Sequence, residues 1–194
     1  MKTNLVRKSE MIMAQTKVSN KSEFASTSEK TADRLQFSAI RIETGRLEDL
    51  NAISNFQLAM ALETENENLD LETVCKGVLY VFNKNNYIES DSANPFYLIA
   101  RHATLGPVGC LMVQSEWSDW RNGNVWWIHS VYLKPEARGI GLFRAFYTHV
   151  ETQAKSLNVR GLRLFVDKRN TNAQKIYTAV GMTAEHYDLY ERLF

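Results

Sequence analysis

The run Arg138-Gly139-Ile140-Gly141-Leu142-Phe143-Arg144 combines two glycines and two arginines with the start of an apolar helical stripe. A glycine turn that feeds a helix leaves backbone N–H groups without acceptors at the positive end of the helix dipole, and such an end binds phosphate. Spacing separates the known phosphate loops. A Walker A loop requires G-x-x-x-x-G-K-[ST], and Gly141 is followed directly by Leu142 and Phe143 instead of Lys and Ser or Thr. A dinucleotide fingerprint requires G-x-G-x-x-G, but Arg144 holds the third glycine's place and no βαβ unit precedes it. What remains is R-x-x-G-x-[GA], with Phe143 standing at the sixth place.

Other side chains with usable chemistry surround this loop in the sequence. Asn170, Ala173, Tyr177 and Gly181 follow it at helical spacing, and a phenol such as Tyr177 holds a proton at neutral pH that it can donate. Carboxylates able to accept a proton are Glu63, Glu65 and Glu67 in ETENENLD, and Glu116 and Asp119 in EWSDWRNG; His129 is a further candidate. Trp117, Trp120, Trp126 and Trp127 cluster nearby. Strand alternation sends Trp126 and Trp127 to opposite faces, and at least two of the four are expected in the core. An outward tryptophan beside carboxylates would suit a cationic amine.

The elements that must position these residues follow from periodicity. FSAIRIE from Phe37 alternates as a half-buried strand does, and helices are expected over Leu47–Leu62 and Leu71–Phe82. PFYLIARH and PVGCLMVQS read as a hairpin turning at Leu105–Pro107, with VWWIHSVYL as a third strand. Phe143, Phe146, Tyr147, Val150, Ala154 and Leu157 form a helical stripe, with Gly161 expected to stop the helix. GLRLFV is a short strand, Ala173 to Val180 a second amphipathic helix capped by Gly181, and AEHYDLYERL a closing strand. The order is that of a mixed α/β sandwich.

Composition bounds the partners. The chain has 194 residues, enough for one core and little more. Residues 1–36, rich in Ser, Thr, Lys and Asn, read as a disordered tail in which Met11 or Met13 could serve as alternative starts, and 37–194 read as the domain. A net charge of +1 gives no field toward nucleic acid or anionic membrane, and no apolar run approaches a membrane span of about 20 residues. Cys75 and Cys110 lie far apart without a C-x-x-C companion, so neither a disulfide framework nor a metal site is expected, and a reducing cytoplasm fits.

The loop, with Ser130-Val131-Tyr132-Leu133-Lys134-Pro135-Glu136 before it and Asn170-x-x-Ala173-x-x-x-Tyr177-x-x-x-Gly181-Met182 after it, resembles the Gcn5-related N-acetyltransferase (GNAT) superfamily. The motifs cover about the C-terminal third of the chain, and the element order agrees along the whole domain. The resemblance implies a mainly antiparallel, twisted sheet, flanked by helices and splayed at the site of acetyl-CoA. It implies an acyl-CoA pyrophosphate on the backbone N–H groups of Gly139, Ile140, Gly141, Leu142, Phe143 and Arg144, after the motif's Arg138. It implies pantetheine pairing like an added strand along Val131, Tyr132 and Leu133. Phe143 departs from the usual Gly or Ala; with helical, negative φ the position needs no glycine, and its ring is expected to point into the sheet.

The same resemblance assigns Tyr177 as the acid that protonates the CoA sulfur and Asn170 as a hydrogen-bond partner of the cofactor, with the oxyanion at a backbone N–H of the Val131 strand. Members that acetylate protein N-termini often carry a glutamate where this chain has Phe165, a departure that weighs against peptide substrates. Glu63 and Glu116 stand first among the candidates for the base. The leading expectation is therefore transfer of an acyl group from acetyl-CoA to a primary amine of a small molecule or an exposed lysine, by direct attack in a ternary complex. A non-catalytic acyl-CoA-binding regulatory module is the other reading, because fold alone does not fix function. A homodimer is compatible with either.

Overall fold

Alternation from Phe37 becomes a strand only at Ile40–Thr44 (β1), because its antiparallel partner ends opposite Ile40, at His102; Phe37–Ala39 is a 3-10 turn. The computed structural model describes residues 35–84, 92–184 and 188–192, so the tail expected at 1–36 lies outside the described residues except for Leu35 and Gln36. Leu35 donates its N–H to the Glu136 carbonyl (3.1 Å) and packs on the core, so the folded part takes in residues read as tail. After a 3-10 turn at Leu47–Asp49 come two helices, Leu50–Glu65 (α1) and Leu71–Lys84 (α2). Asn66, in the left-handed region at φ 57°, ends α1. Asp70 opens α2 by accepting from the Thr73 N–H (2.7 Å) and hydroxyl (2.8 Å).

Three strands follow, Phe96–His102 (β2), Gly106–Ser118 (β3) and Gly123–Leu133 (β4), then the helix Leu142–Ser156 (α3) and a short strand, Leu162–Leu164 (β5). The sheet order is β1-β2-β3-β4-β5, antiparallel throughout except for the parallel pair β4–β5. The continuous apolar run of β2 is explained by helices on both faces. Phe96, Leu98 and Ala100 join one core with Leu142, Phe146, Val150 and Ala154 of α3. Tyr97 and Ile99 join the other, with Leu50, Ile53 and Phe56 of α1 and Val78, Val81 and Phe82 of α2. Residues four apart on α3 thus form one buried row, and removing a fully buried ring such as Phe146 from water contributes about 2–3 kcal/mol.

The chain divides after Leu164 into two compact units. The second, Phe165–Phe194, is built on the helix Thr171–Ala179 (α4). Gly181, at φ 88°, closes that helix as expected: its N–H reaches the Thr178 carbonyl (3.0 Å) and the Met182 N–H reaches the Tyr177 carbonyl (3.1 Å).

Several expectations are corrected. Helix α3 stops at Ser156, not at Gly161, because Asn158 takes the left-handed conformation (φ 57°) and the Val159 N–H closes back on the Ala154 carbonyl (2.9 Å). Only Trp126 is a fully buried tryptophan; Trp117 and Trp120 are 61% and 87% exposed. The β3–β4 hairpin outruns its neighbours, since β2 reaches only to Val113 and β5 begins at Trp126, so no neighbouring strand flanks Trp117 and Trp120 among the described residues. GLRLFV yields three strand residues rather than six. The described residues of the closing segment, 184 and 188–192, carry no strand, and Leu189 and Tyr190 are 62% and 92% exposed. An extended run becomes a strand only through a ladder, and none forms among these described residues.

Candidate active site

The centre of the site is an irregularity in β4. Met112 of β3 pairs with His129, but Cys110 pairs with Tyr132, so β4 carries one residue more than its partner over this interval. Ser130 absorbs the excess with φ 51°, a β-bulge of the kind that bends a strand. On the other edge, the parallel ladder to β5 ends at Ile128↔Leu164. Beyond it, Val131, Tyr132 and Leu133 have no second strand partner among the described residues. A β4 edge left open after a bulge offers main-chain donors and acceptors to an extended ligand, as any unpaired edge does.

That edge leads into the glycine loop expected to hold phosphate. A 3-10 turn at Pro135–Ala137 reverses the chain, then Gly139 and Gly141 adopt φ 73° and 86°, conformations that side chains disfavour. Helix α3 begins at Leu142, and its first internal bond runs from the Ala145 N–H to the Gly141 carbonyl (3.1 Å). The Leu142 and Arg144 amides therefore have no acceptor within the helix, and they stand at the positive end of its dipole. The Arg144 guanidinium is exposed and makes no ion pair among the described residues. It lines an open groove of about 950 Å³ with Ile140, Gly141, Thr148 and His149. Amides, a dipole and an uncommitted cation fit an anionic pyrophosphate. Phe143 is buried at 8% exposure beside Tyr147 (centroids 6.4 Å apart), but Leu142, not Phe143, begins the core row of α3.

On the face that carries α1, the structure gathers side chains distant in sequence. Arg138 donates Nε–H to the Leu133 carbonyl (2.8 Å) and meets both Glu63 oxygens with its two terminal nitrogens (2.7 Å each), its guanidinium lying 5.6 Å from the Tyr132 ring centroid. Tyr132 in turn stacks on Phe56 of α1 at 5.4 Å. Glu116 accepts from Trp127 Nε1–H (2.7 Å) and Arg163 (3.0 Å), while Arg163 also lies 5.4 Å from the Trp127 ring centroid. One face of Trp127 is thus already taken by an arginine. Sequence patterns gave no sign of Arg163 or of the Ser130 bulge. Glu65, Glu67 and Asp119 remain exposed.

His129 sits at the last regular register before the bulge, its ring 6.2 Å from that of Trp127. Burial holds its pKa below the ordinary value of 6.5, because charging the ring would require desolvation. Cys110 is buried at 0% exposure and its thiol is pushed up to about 12, which keeps it protonated and unreactive; Cys75 is also free and buried. Among the described residues no cluster of His, Cys, Asp and Glu could hold a metal ion, and no helix is long and apolar enough to cross a membrane.

In the second unit, Asn170 caps α4, its Oδ1 accepting the Ala173 N–H at 3.0 Å, which leaves its Nδ2 donors uncommitted among the described residues. Tyr177 lies two turns further along the same helix, and burial raises its phenol's pKa, so the hydroxyl keeps its proton at neutral pH. Phe165, just beyond β5, is 51% exposed.

Comparison with known proteins agrees with this geometry. The sequence profile described as "Acetyltransferase (GNAT) family" matches residues 60–182. A possible acetyltransferase from Clostridium difficile 630 is 33% identical, with TM-score 0.70, over 80% of this chain and 98% of that one. A ribosomal-protein-alanine N-acetyltransferase from Brucella melitensis biovar Abortus 2308 (17% identity, TM-score 0.63) shares the fold over 80% of this chain and 100% of that one. So does an aminoglycoside acetyltransferase from an uncultured soil metagenomic sample (17%, TM-score 0.60), over 81% of this chain and 97% of that one. No curated protein matches. With an open, bulged β4 edge running into an amide-lined helix start, and a family profile spanning both, the chain belongs to the GNAT family of acetyltransferases.

Proposed function

We propose that the protein transfers an acetyl group from acetyl-CoA to a primary amine of a small molecule or an exposed lysine, by direct attack in a ternary complex in the cytoplasm. The observation that carries this is the junction of the open edge Val131–Leu133 with the amide loop Gly139–Arg144. Bound acetyl-CoA would supply a thioester activated for transfer to nitrogen. The loop amides and the Arg144 guanidinium hold the pyrophosphate, the β4 edge orients the pantetheine arm by main-chain hydrogen bonds, and a β4 N–H faces the developing oxyanion. Asn170 offers its Nδ2 donors to the cofactor.

Proton transfers are assigned by protonation state and position. Glu63 and Glu116 both meet guanidinium groups, which favour their charged, weakly basic form, and His129, neutral at physiological pH, adjoins the bulge. In this reading His129 takes the amine's proton, directly or through water, and Tyr177 gives its proton to the departing thiolate. Direct transfer rather than a cysteinyl intermediate is supported by the buried, protonated state of Cys110.

The test joins binding to turnover. Acetyl-CoA should raise the melting temperature of the wild type and of Tyr177→Phe alike, while thiol release with an amine panel should fall about 10²-fold or more in the variant. Equal release in the two would remove Tyr177 as the acid. Protection without release for any acceptor would favour a non-catalytic acyl-CoA-binding module, and no protection by any acyl-CoA would overturn the ligand assignment.

A further inference from the structure

Arg138 opens the phosphate loop, yet three of its five N–H donors are committed inside the protein. Nε–H returns to the carbonyl of Leu133, the last residue of the open β4 edge, at 2.8 Å. The two terminal nitrogens grip Glu63 on α1, 75 residues away in sequence, in a bidentate pair of 2.7 Å contacts. The guanidinium covers Tyr132, which rests on Phe56 of the same helix. Main-chain bonds hold the turn as far as Arg138, from the Lys134 N–H to the Val108 carbonyl (2.9 Å), the Ala137 N–H to the Lys134 carbonyl (2.8 Å) and the Arg138 N–H to the Pro135 carbonyl (3.2 Å), but the next residue, Gly139, sits at φ 73° and neither its N–H nor that of Ile140 finds a main-chain acceptor among the described residues. The step from the turn at Arg138 into the amide loop is therefore weakly restrained by its own backbone. A planar fork with both ends anchored supplies the missing restraint.

We propose that Glu63 is a positioning residue of the acyl-CoA site: by holding Arg138 across the end of β4, it fixes the spacing between the Val131–Leu133 edge and the Gly139–Arg144 amides. This rests on the acyl-CoA reading of those two surfaces. A single ligand that must reach both is sensitive to their separation, and a misplaced donor loses most of its hydrogen bond.

The idea predicts a sign opposite to that of simple electrostatics. Glu63 is an acid beside a site for a polyanion, so deleting its charge should tighten acyl-CoA binding if only the local field mattered. The same tightening is expected if Glu63 merely competed with phosphate for Arg138. If Glu63 positions Arg138, Glu63→Gln should weaken binding instead. The pair is half exposed, at 40% and 49%, so the expected loss is modest: about three- to fivefold in Kd.

The experiment is calorimetric titration of the full chain with acetyl-CoA at low salt, for wild type, Glu63→Gln, Arg138→Gln and the double variant. Each single variant should bind about three- to fivefold more weakly, and the double variant no more weakly than the weaker single, since either change breaks the same clamp. Where an amine acceptor is turned over, KM for acetyl-CoA should rise with kcat at saturation within about twofold. Unchanged or tighter binding by Glu63→Gln, additive losses in the double variant, or a collapse of kcat with unaltered affinity would each overturn the assignment, the last by making Glu63 the base. A wild type that fails to bind acetyl-CoA would overturn the acyl-CoA reading itself, an outcome separate from these. Melting temperatures, expected to shift by no more than about 3 °C for a half-exposed pair, check that the variants fold.

Discussion

Replacing glycine by alanine at three positions is the same chemical change, yet the structure assigns it different signs. Gly77 lies in the interior of α2 without positive φ, and a Cβ built there meets nothing within 4 Å. Alanine should stabilise the helix by about 0.5–1 kcal/mol, because glycine loses more backbone freedom on folding. Gly141 also has open space around its Cβ, but its φ of 86° is one that alanine resists, so Gly141→Ala should cost about 1–2 kcal/mol through backbone strain alone. Gly109 is different in kind: an added Cβ would lie 2.6 Å from Leu133 Cδ2, 2.8 Å from the Tyr132 carbonyl oxygen and 3.3 Å from Leu133 Cα. A leucine methyl can swing aside, whereas the Tyr132 oxygen moves only with β4. Overpacking of this type costs about 1–3 kcal/mol, offset by about 0.5–1 kcal/mol from the loss of glycine entropy, for a net of about 1–2 kcal/mol.

For a chain of this size about 2–4 °C of melting temperature accompanies each kcal/mol. Gly77→Ala should therefore melt about 1–4 °C above wild type, and Gly141→Ala and Gly109→Ala each about 2–8 °C below it, read by circular dichroism without ligand. Acetyl-CoA affinity should fall in the Gly141 and Gly109 variants and stay unchanged at Gly77, since one alters the amide loop and another pushes on the Tyr132–Leu133 edge. A Gly109→Ala protein that melted at or above wild type would refute the close approach of β3 to β4, and with it the geometry claimed for the open edge.

Two further outcomes follow from charge and burial. Arg101 joins Glu43 (2.6 Å) and Asp49 (2.7 Å), and Asp49 is only 3% exposed, so Arg101→Met leaves a buried carboxylate with, among the described residues, just the Arg46 N–H at 3.0 Å. A loss of about 2–3 kcal/mol is expected, discounted because Arg101 itself is one-third exposed, and adding Asp49→Asn should recover part of it; no recovery would show that packing rather than charge is at issue. The folded-state pKa of His129 lies below its ordinary 6.5, so the unfolded chain binds more protons in that window: stability from this group is complete above about 6.5 and is lost as pH falls through the lower folded value. Melting temperatures followed downward from about pH 8 should show this loss in wild type and less of it in His129→Gln; identical slopes would contradict the half-buried, neutral state.

The loop, the helices and most strands were legible because they depend on local rules. Gly139 and Gly141 precede a helix whose apolar residues recur with its period, and Gly181 closes the next helix with the bonds its position suggests. Where local rules compete, reading failed: Asn158 ended α3 before Gly161 could, and the hairpin tip carried Trp117 and Trp120 beyond any neighbouring strand.

What the sequence by itself determined was the glycine turn that opens α3, the family and the order of elements as far as α4, since turn chemistry and periodicity act over a few residues. Tertiary structure alone decided that β4 bulges at Ser130, that its ladder to β5 stops at Ile128, and that Glu63 meets Arg138 while Glu116 meets Arg163. Registers and ion pairs join residues tens of positions apart, and no local periodicity encodes which carboxylate a folded chain will bring to which arginine.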